Sequence, residues 1–133
     1  MSDADLLQHA HIARQKAYAP YSHFAVGAAL KTASGNIYLG ANIENSAYSP
    51  SCCAERVALY QALMAGETDF TAIAIVGGPQ GQPPTAPTPP CGVCRQVLSE
   101  FCPPTLRILL SSAEHTQEYT LGELLPQAFA FEG

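Results

Sequence analysis

The chain has 133 residues, 47% hydrophobic and 13% charged, with a net charge of −5. That length suits one domain around one core, and the composition is that of a globular chain, not a disordered one. Six basic residues (Arg14, Lys16, Lys31, Arg56, Arg95 and Arg107) stand against eleven acidic ones, so there is no basic stripe to neutralise phosphates, and nucleic acid is excluded as the expected partner. No apolar run approaches the ~20 residues of a membrane helix. The acidic, polar start MSDADLLQHA is unlike a signal peptide, and a soluble, cytoplasmic protein is expected.

Leu6, Ala10, Ala13 and Ala17 fall at helical spacing, Ser2 to Asp5 resembles a capping box, and Pro20 marks the end of this first helix. Strands are predicted over 24–32 and 37–43, joined through the turn Ser34-Gly35-Asn36 as a hairpin. A helix over 53–65 is closed by Gly66. Residues 71–77 read as a buried strand. A short helix over 92–101, with Val93, Val97 and Phe101 on one face, stops at Pro103-Pro104. Strands follow at 106–111 and 115–121, then a terminal helix over 121–129 broken near Pro126. Alternating strands and helices imply a sheet covered by helices, and the opening hairpin makes that sheet mixed.

Residues 77–90 hold six of the eleven prolines and have the composition of a linker. The cysteines on either side argue otherwise. Cys53 precedes the stretch and Cys91 and Cys94 follow it. If these three bind one metal, the segment is a loop inside a single domain spanning 1–133.

A metal is the reading that best explains them. Three thiolates fill three positions of a tetrahedral ion and leave the fourth for water. Glu55, two residues after Cys53, is then placed to move that water's proton. A redox reading of Cys91-Gly-Val-Cys94 leaves Cys53-Ala-Glu55 unexplained. A structural zinc needs a fourth protein ligand, and neither Cys52 nor His9, His11, His23 or His115 stands at a standard paired spacing. Zinc is the expected cofactor, one ion per chain, although three thiolates also accept iron or cobalt. Cys53 and the Cys91–Cys94 pair fall at predicted helix starts, where unpaired N–H groups and a partial positive charge favour thiolates. Zinc with three thiolates carries a formal charge of −1. Arg56 and Arg95 directly follow ligand-bearing segments, and Arg56 is expected to hydrogen-bond a ligand sulfur. Cys102, at the end of a helix-like run, reads as a small packed residue.

With these residues assembled, the chain resembles the cytidine deaminases, in particular the small homotetrameric type. Cys53-Ala-Glu55 followed by Pro90-Cys-Gly-Val-Cys94 is the three-cysteine form of the zinc deaminase signature. The resemblance extends over YSHFAVGAAL (21–30), GANIENSAY (40–48), CAERVAL (53–59), PCGVCRQVLSEF (90–101) and LLPQAF (124–129). It implies a three-layer α/β/α sandwich with a mixed sheet of about five strands. It also implies hydrolysis of cytidine and 2′-deoxycytidine to uridine and 2′-deoxyuridine plus ammonia, as in pyrimidine salvage. Asn42 and Glu44 would bind the ribose hydroxyls, and Phe24 would pack on the pyrimidine. The backbone of Ala54 would contact the base. Tyr48 and Phe129 would line the pocket, Phe129 coming from a neighbouring subunit of a homotetramer with shared sites. Phe131 lies close enough in sequence to compete with Phe129 for that role. The ending also resembles that of blasticidin S deaminase, which leaves a modified cytosine nucleoside as the alternative substrate. A nucleoside- or zinc-binding protein without turnover would have no need of Glu55.

Overall fold

The computed structural model describes residues 2–84, 86–111 and 115–131. Helix α1 (Asp3–Arg14) starts where Ser2 and Asp5 cap one another: the Asp5 amide donates to Ser2 Oγ at 3.2 Å, and the Ser2 amide donates to the Asp5 carboxylate at 3.2 Å. The helix stops at Arg14, so Ala17 lies beyond it. The physical reason is a competing partner: the Tyr18 amide donates to the carbonyl of Asn42 at 2.9 Å and draws the chain toward the sheet.

Strands β1 (Phe24–Thr32) and β2 (Ile37–Ala41) form the expected antiparallel hairpin, but β2 ends two residues early. Ile43 pairs instead with Tyr18 and Cys52. Helix α2 (Ala54–Met64) is followed by β3 (Phe70–Pro79), which runs two residues past the predicted end. Gly78 and Pro79, expected in the proline-rich loop, therefore continue the ladder against Ala25 and Phe24. The rest of that loop folds back, and the Thr88 side chain lies where a Cβ on Gly77 would sit.

Helix α3 (Gly92–Phe101), β4 (Arg107–Ser111), β5 (Thr116–Thr120) and α4 (Leu121–Leu124) complete the order. Helix α4 is a single turn, not the nine residues anticipated; the chain leaves it at Leu125, just before Pro126. The face predicted for α3 also needs correction. Its buried residues are Cys94 and Leu98; of the predicted three, Val97 packs partly buried against the core, whereas Val93 is 57% and Phe101 41% exposed. Apolar spacing located the helix, but the face toward the core is set by Cys94.

The sheet order is β2-β1-β3-β4-β5, with β3 and β4 parallel and every other neighbouring pair antiparallel. Helix α1 covers one face through Leu6 and Ala10 against Ala29, Ala74 and Val76. Helices α2 and α3 cover the other, where Ala58, Leu59 and Leu98 pack on Ala28, Leu30, Ile73, Ile75 and Ile108. This is the expected three-layer α/β/α arrangement with a mixed five-stranded sheet. Cys102 is the C-cap of α3 and packs in that second core, where burial pushes its thiol up to about 12. No described helix is long and apolar enough to cross a membrane.

Glycine sets how closely the helices approach. A Cβ at Gly40 would overlap the carbonyl oxygen of Ala54 and the amide nitrogen of Ala58, so the first turns of α2 lie directly on β2.

Candidate metal centre and nucleoside pocket

Cys53 is the N-cap of α2 and Cys91 the N-cap of α3; Cys94 sits in the first turn of α3. Two helix starts thus face one point. The three Sγ atoms lie within 4.8 Å of one another, with Cys53 to Cys91 at 3.7 Å and Cys91 to Cys94 at 3.2 Å. Sulfurs bound at ~2.3 Å to one tetrahedral ion stand about 3.8 Å apart. The donor set and its spacing therefore fit zinc. Cys91 Sγ accepts from the Cys94 amide at 3.3 Å, which caps the start of α3.

The protonation pattern follows from crowding. The Cys94 thiol hydrogen-bonds the Cys53 sulfur, and the Arg56 guanidinium adds its charge, drawing Cys53 down to about 5. Cys94 is pushed up by holding that proton, by burial and by the nearby Glu55. With a divalent ion bound, all three are thiolates. Arg56 Nη2 lies 3.6 Å from Cys53 Sγ, and its buried Nε has no partner. Arg95 does not share this placement. Its Nε donates to the Pro90 carbonyl and its Nη1 to the Leu124 carbonyl, both at 2.8 Å, so it ties the ends of the loop and of α4 to α3.

Glu55 is 4% exposed, on the first turn of α2. Burial pushes its carboxyl up to about 7, and the negative Cys53 sulfur reinforces the shift. A carboxyl poised near neutrality can take and return a proton. Ala54, between Cys53 and Glu55, is fully buried with its carbonyl toward Gly40. Its amide is one of the first-turn donors that α2 itself does not use.

The other expected residues gather around the tip of β1. Asn42 spends its side-chain amide on backbone: Oδ1 accepts from the Val26 amide at 2.9 Å and Nδ2 donates to the Phe24 carbonyl at 2.8 Å. One acceptor lone pair and one N–H remain for a ligand. Glu44 accepts from the amides of Tyr21 and Ser22 at 3.0 and 3.1 Å and from the Ser22 hydroxyl, contacts that hold its carboxyl below the usual range. A pocket of about 290 Å³ is lined by Tyr21, Ser22, Glu44, Tyr48 and Ser51. Tyr48 holds a left-handed backbone (φ 63°), and its ring meets Tyr21 edge-on at 6.3 Å. Phe24 is partly exposed at the strand tip.

Phe129 and Phe131 are not brought into this pocket. They are 73% and 85% exposed, and the Phe129 carbonyl accepts from Gln96 Nε2 on α3 at 3.3 Å.

Sequence reading missed Tyr21, Ser22 and Ser51 as pocket residues, since none of the three carries a local pattern that marks it. It also missed the reciprocal backbone bonds between Ile43 and Cys52, at 2.9 and 2.8 Å. These bonds place the Asn42–Glu44 segment beside Cys53, joining the pocket to the metal centre.

Residues 1–110 match the family model described as the cytidine and deoxycytidylate deaminase zinc-binding region. The chain is 46% identical over 128 residues to a cytidine deaminase of Halalkalibacterium halodurans, covering 96% of this chain and 93% of that one. It is similar to the crystal structure of cytidine deaminase from Burkholderia pseudomallei, with 45% identity, a TM-score of 0.89, and coverage of 97% of this chain and 100% of that chain. It also resembles the crystal structure of cytidine deaminase from Mycobacterium tuberculosis, with 35% identity, a TM-score of 0.81, and coverage of 98% and 100%. Fold, cysteine geometry and these likenesses agree, and the chain belongs to the cytidine and deoxycytidylate deaminase family.

Proposed function

We propose that this protein deaminates cytidine and 2′-deoxycytidine by hydrolysis, giving uridine or 2′-deoxyuridine and ammonia. The observation that carries the proposal is the convergence of three sulfurs within 4.8 Å on the first turn that buries Glu55. Cys53, Cys91 and Cys94 would hold one zinc ion, which when bound supplies a Lewis acid that acidifies a water. Glu55 takes the proton from the attacking water, protonates the ring nitrogen N3, and carries the second proton to the departing amine. One water is consumed and one ammonia leaves.

Arg56 offsets the excess negative charge of three thiolates by its contact with Cys53. Arg56→Gln is expected to retain zinc and to lower kcat/KM by about 10- to 100-fold, the range for losing a charged hydrogen bond. Steady-state kinetics with metal analysis checks this.

Phe24 covers the pyrimidine, the Ala54 backbone meets the base, and Asn42 and Glu44 bind the 3′-hydroxyl. That hydroxyl is present in both sugars, so both nucleosides are substrates. Tyr48 lines the entrance. Phe129 completes the site of a neighbouring subunit in a homotetramer; its exposure, and that of Met64 and Val93, supports an assembly. A cytoplasmic place in pyrimidine salvage follows from the same reading, with 1–133 acting as one domain. The acidic balance speaks against nucleic acid as substrate.

Loss of the cytidine absorbance band on incubation with the protein tests the proposal. Turnover is expected to vanish after chelation of the metal and to return with zinc. A folded, zinc-loaded protein that leaves cytidine intact would overturn it.

A further inference from the structure

Strand β1 extends beyond its partner on the β2 side. The β1–β2 ladder ends at the Gly27–Ala41 pair, so Val26 and Phe24 would present unpaired polar groups at an open edge. Every one of those groups is nonetheless satisfied. The Val26 carbonyl accepts from the Asn42 amide at 3.2 Å, and the Val26 amide donates to Asn42 Oδ1 at 2.9 Å. The Phe24 carbonyl accepts from Asn42 Nδ2 at 2.8 Å, and the Phe24 amide donates to Ser22 Oγ at 3.1 Å. The Ser22 hydroxyl in turn donates to Glu44, which also receives the Tyr21 and Ser22 amides. The side-chain amide of Asn42 acts as one more peptide unit of β2, and Ser22 closes the last position.

From this we infer that Ser22 is a positioning residue and that Asn42 has a second, positioning role. Together they clamp the backbone of Phe24 at both its N–H and its C=O, and so fix the ring against the base. The inference rests on the reading of Phe24 as the residue that covers the pyrimidine. It separates two ways in which Asn42 can act: by touching a sugar hydroxyl, or by holding the strand that carries the ring. Ser22 has the second way open to it through a bond to Phe24 itself.

The test compares cytidine with 3′-deoxycytidine, which lacks the hydroxyl, in Ser22→Ala and Asn42→Asp. Ser22→Ala removes two hydrogen bonds, the one accepted from the Phe24 amide and the one donated to Glu44, and is expected to lower kcat/KM on both substrates, by about three- to tenfold on 3′-deoxycytidine, where Glu44 has no hydroxyl to bind. Asn42→Asp keeps the acceptor for Val26 but sets a carboxylate oxygen against the Phe24 carbonyl. Its loss is expected to be larger and again to be shared by both substrates. A loss confined to cytidine would show action on the hydroxyl alone and overturn the inference, as would an unchanged kcat/KM in Ser22→Ala. Amide hydrogen exchange gives an independent reading: the Phe24 amide is expected to exchange at least about tenfold faster in Ser22→Ala than in the wild type. Unchanged exchange would remove the clamp. Should the wild type fail on cytidine, the proposed function falls on that result alone, and the exchange rate of Phe24 still decides the clamp.

Discussion

Glu55→Gln is expected to leave the protein folded and zinc-loaded while lowering cytidine turnover by about 10²- to 10⁴-fold. Glutamine matches glutamate in shape, so the packing of the first turn of α2 is preserved. The change removes an ionisable group from a site where burial has already pushed the carboxyl up to about 7. A neutral amide there costs little in folding, and an unchanged or slightly raised melting temperature is expected. Chemistry is another matter, because an amide cannot accept a proton from water and pass it to nitrogen. No second buried acid stands in: Glu55 is the only acidic residue among the buried described ones. Absorbance assays with metal analysis on the same sample decide the matter. Turnover above about a tenth of the wild-type rate, with zinc retained, would show that another group carries the protons.

The metal centre was legible in the sequence because its chemistry needs fixed residue types. Cys53-Ala-Glu55 and Cys91-Gly-Val-Cys94 each lie at the start of a predicted helix, and a helix start is itself legible from periodicity and from proline. Most strands were legible too, since buried strands such as 70–79 are nearly unbroken apolar runs. What escaped depends on partners far apart in the chain. Strand β2 stops early because Ile43 finds Cys52, and α1 stops early because Tyr18 finds Asn42; neither pair shares a local pattern. The sequence could name Asn42 and Glu44 but not show that Asn42 grips β1 and Glu44 the Tyr21–Ser22 segment before it, because that requires knowing where β2 ends. Arg95 shows the same limit. It directly follows Cys94 in the chain, but the direction its side chain leaves α3 takes it to two carbonyls.

Gly40→Ala is the second large effect expected, and it tests how the fold positions the chemistry. The added methyl meets backbone at Ala54 and Ala58, which cannot rotate aside as a side chain could. Helix α2 must lift from β2, at a cost of about 1–3 kcal/mol for overpacking. A fall in melting temperature of roughly 4 °C per kcal/mol follows for a chain of this size. Gly27→Ala is the matched control. There the methyl meets the backbone of Ala10 and Arg14, so α1 is lifted instead, on the opposite face of the sheet. Both variants are expected to lose similar stability. Only Gly40→Ala moves Cys53 and Glu55 relative to Cys91 and Cys94, so it alone should weaken zinc retention against a competing chelator. The ligands sit at the ends of two helices, and a shift of one helix opens the sulfur triangle. Equal zinc retention in the two variants would mean that the ligand geometry is set by the local turns at Cys53 and Cys91 and does not depend on how closely α2 packs on β2.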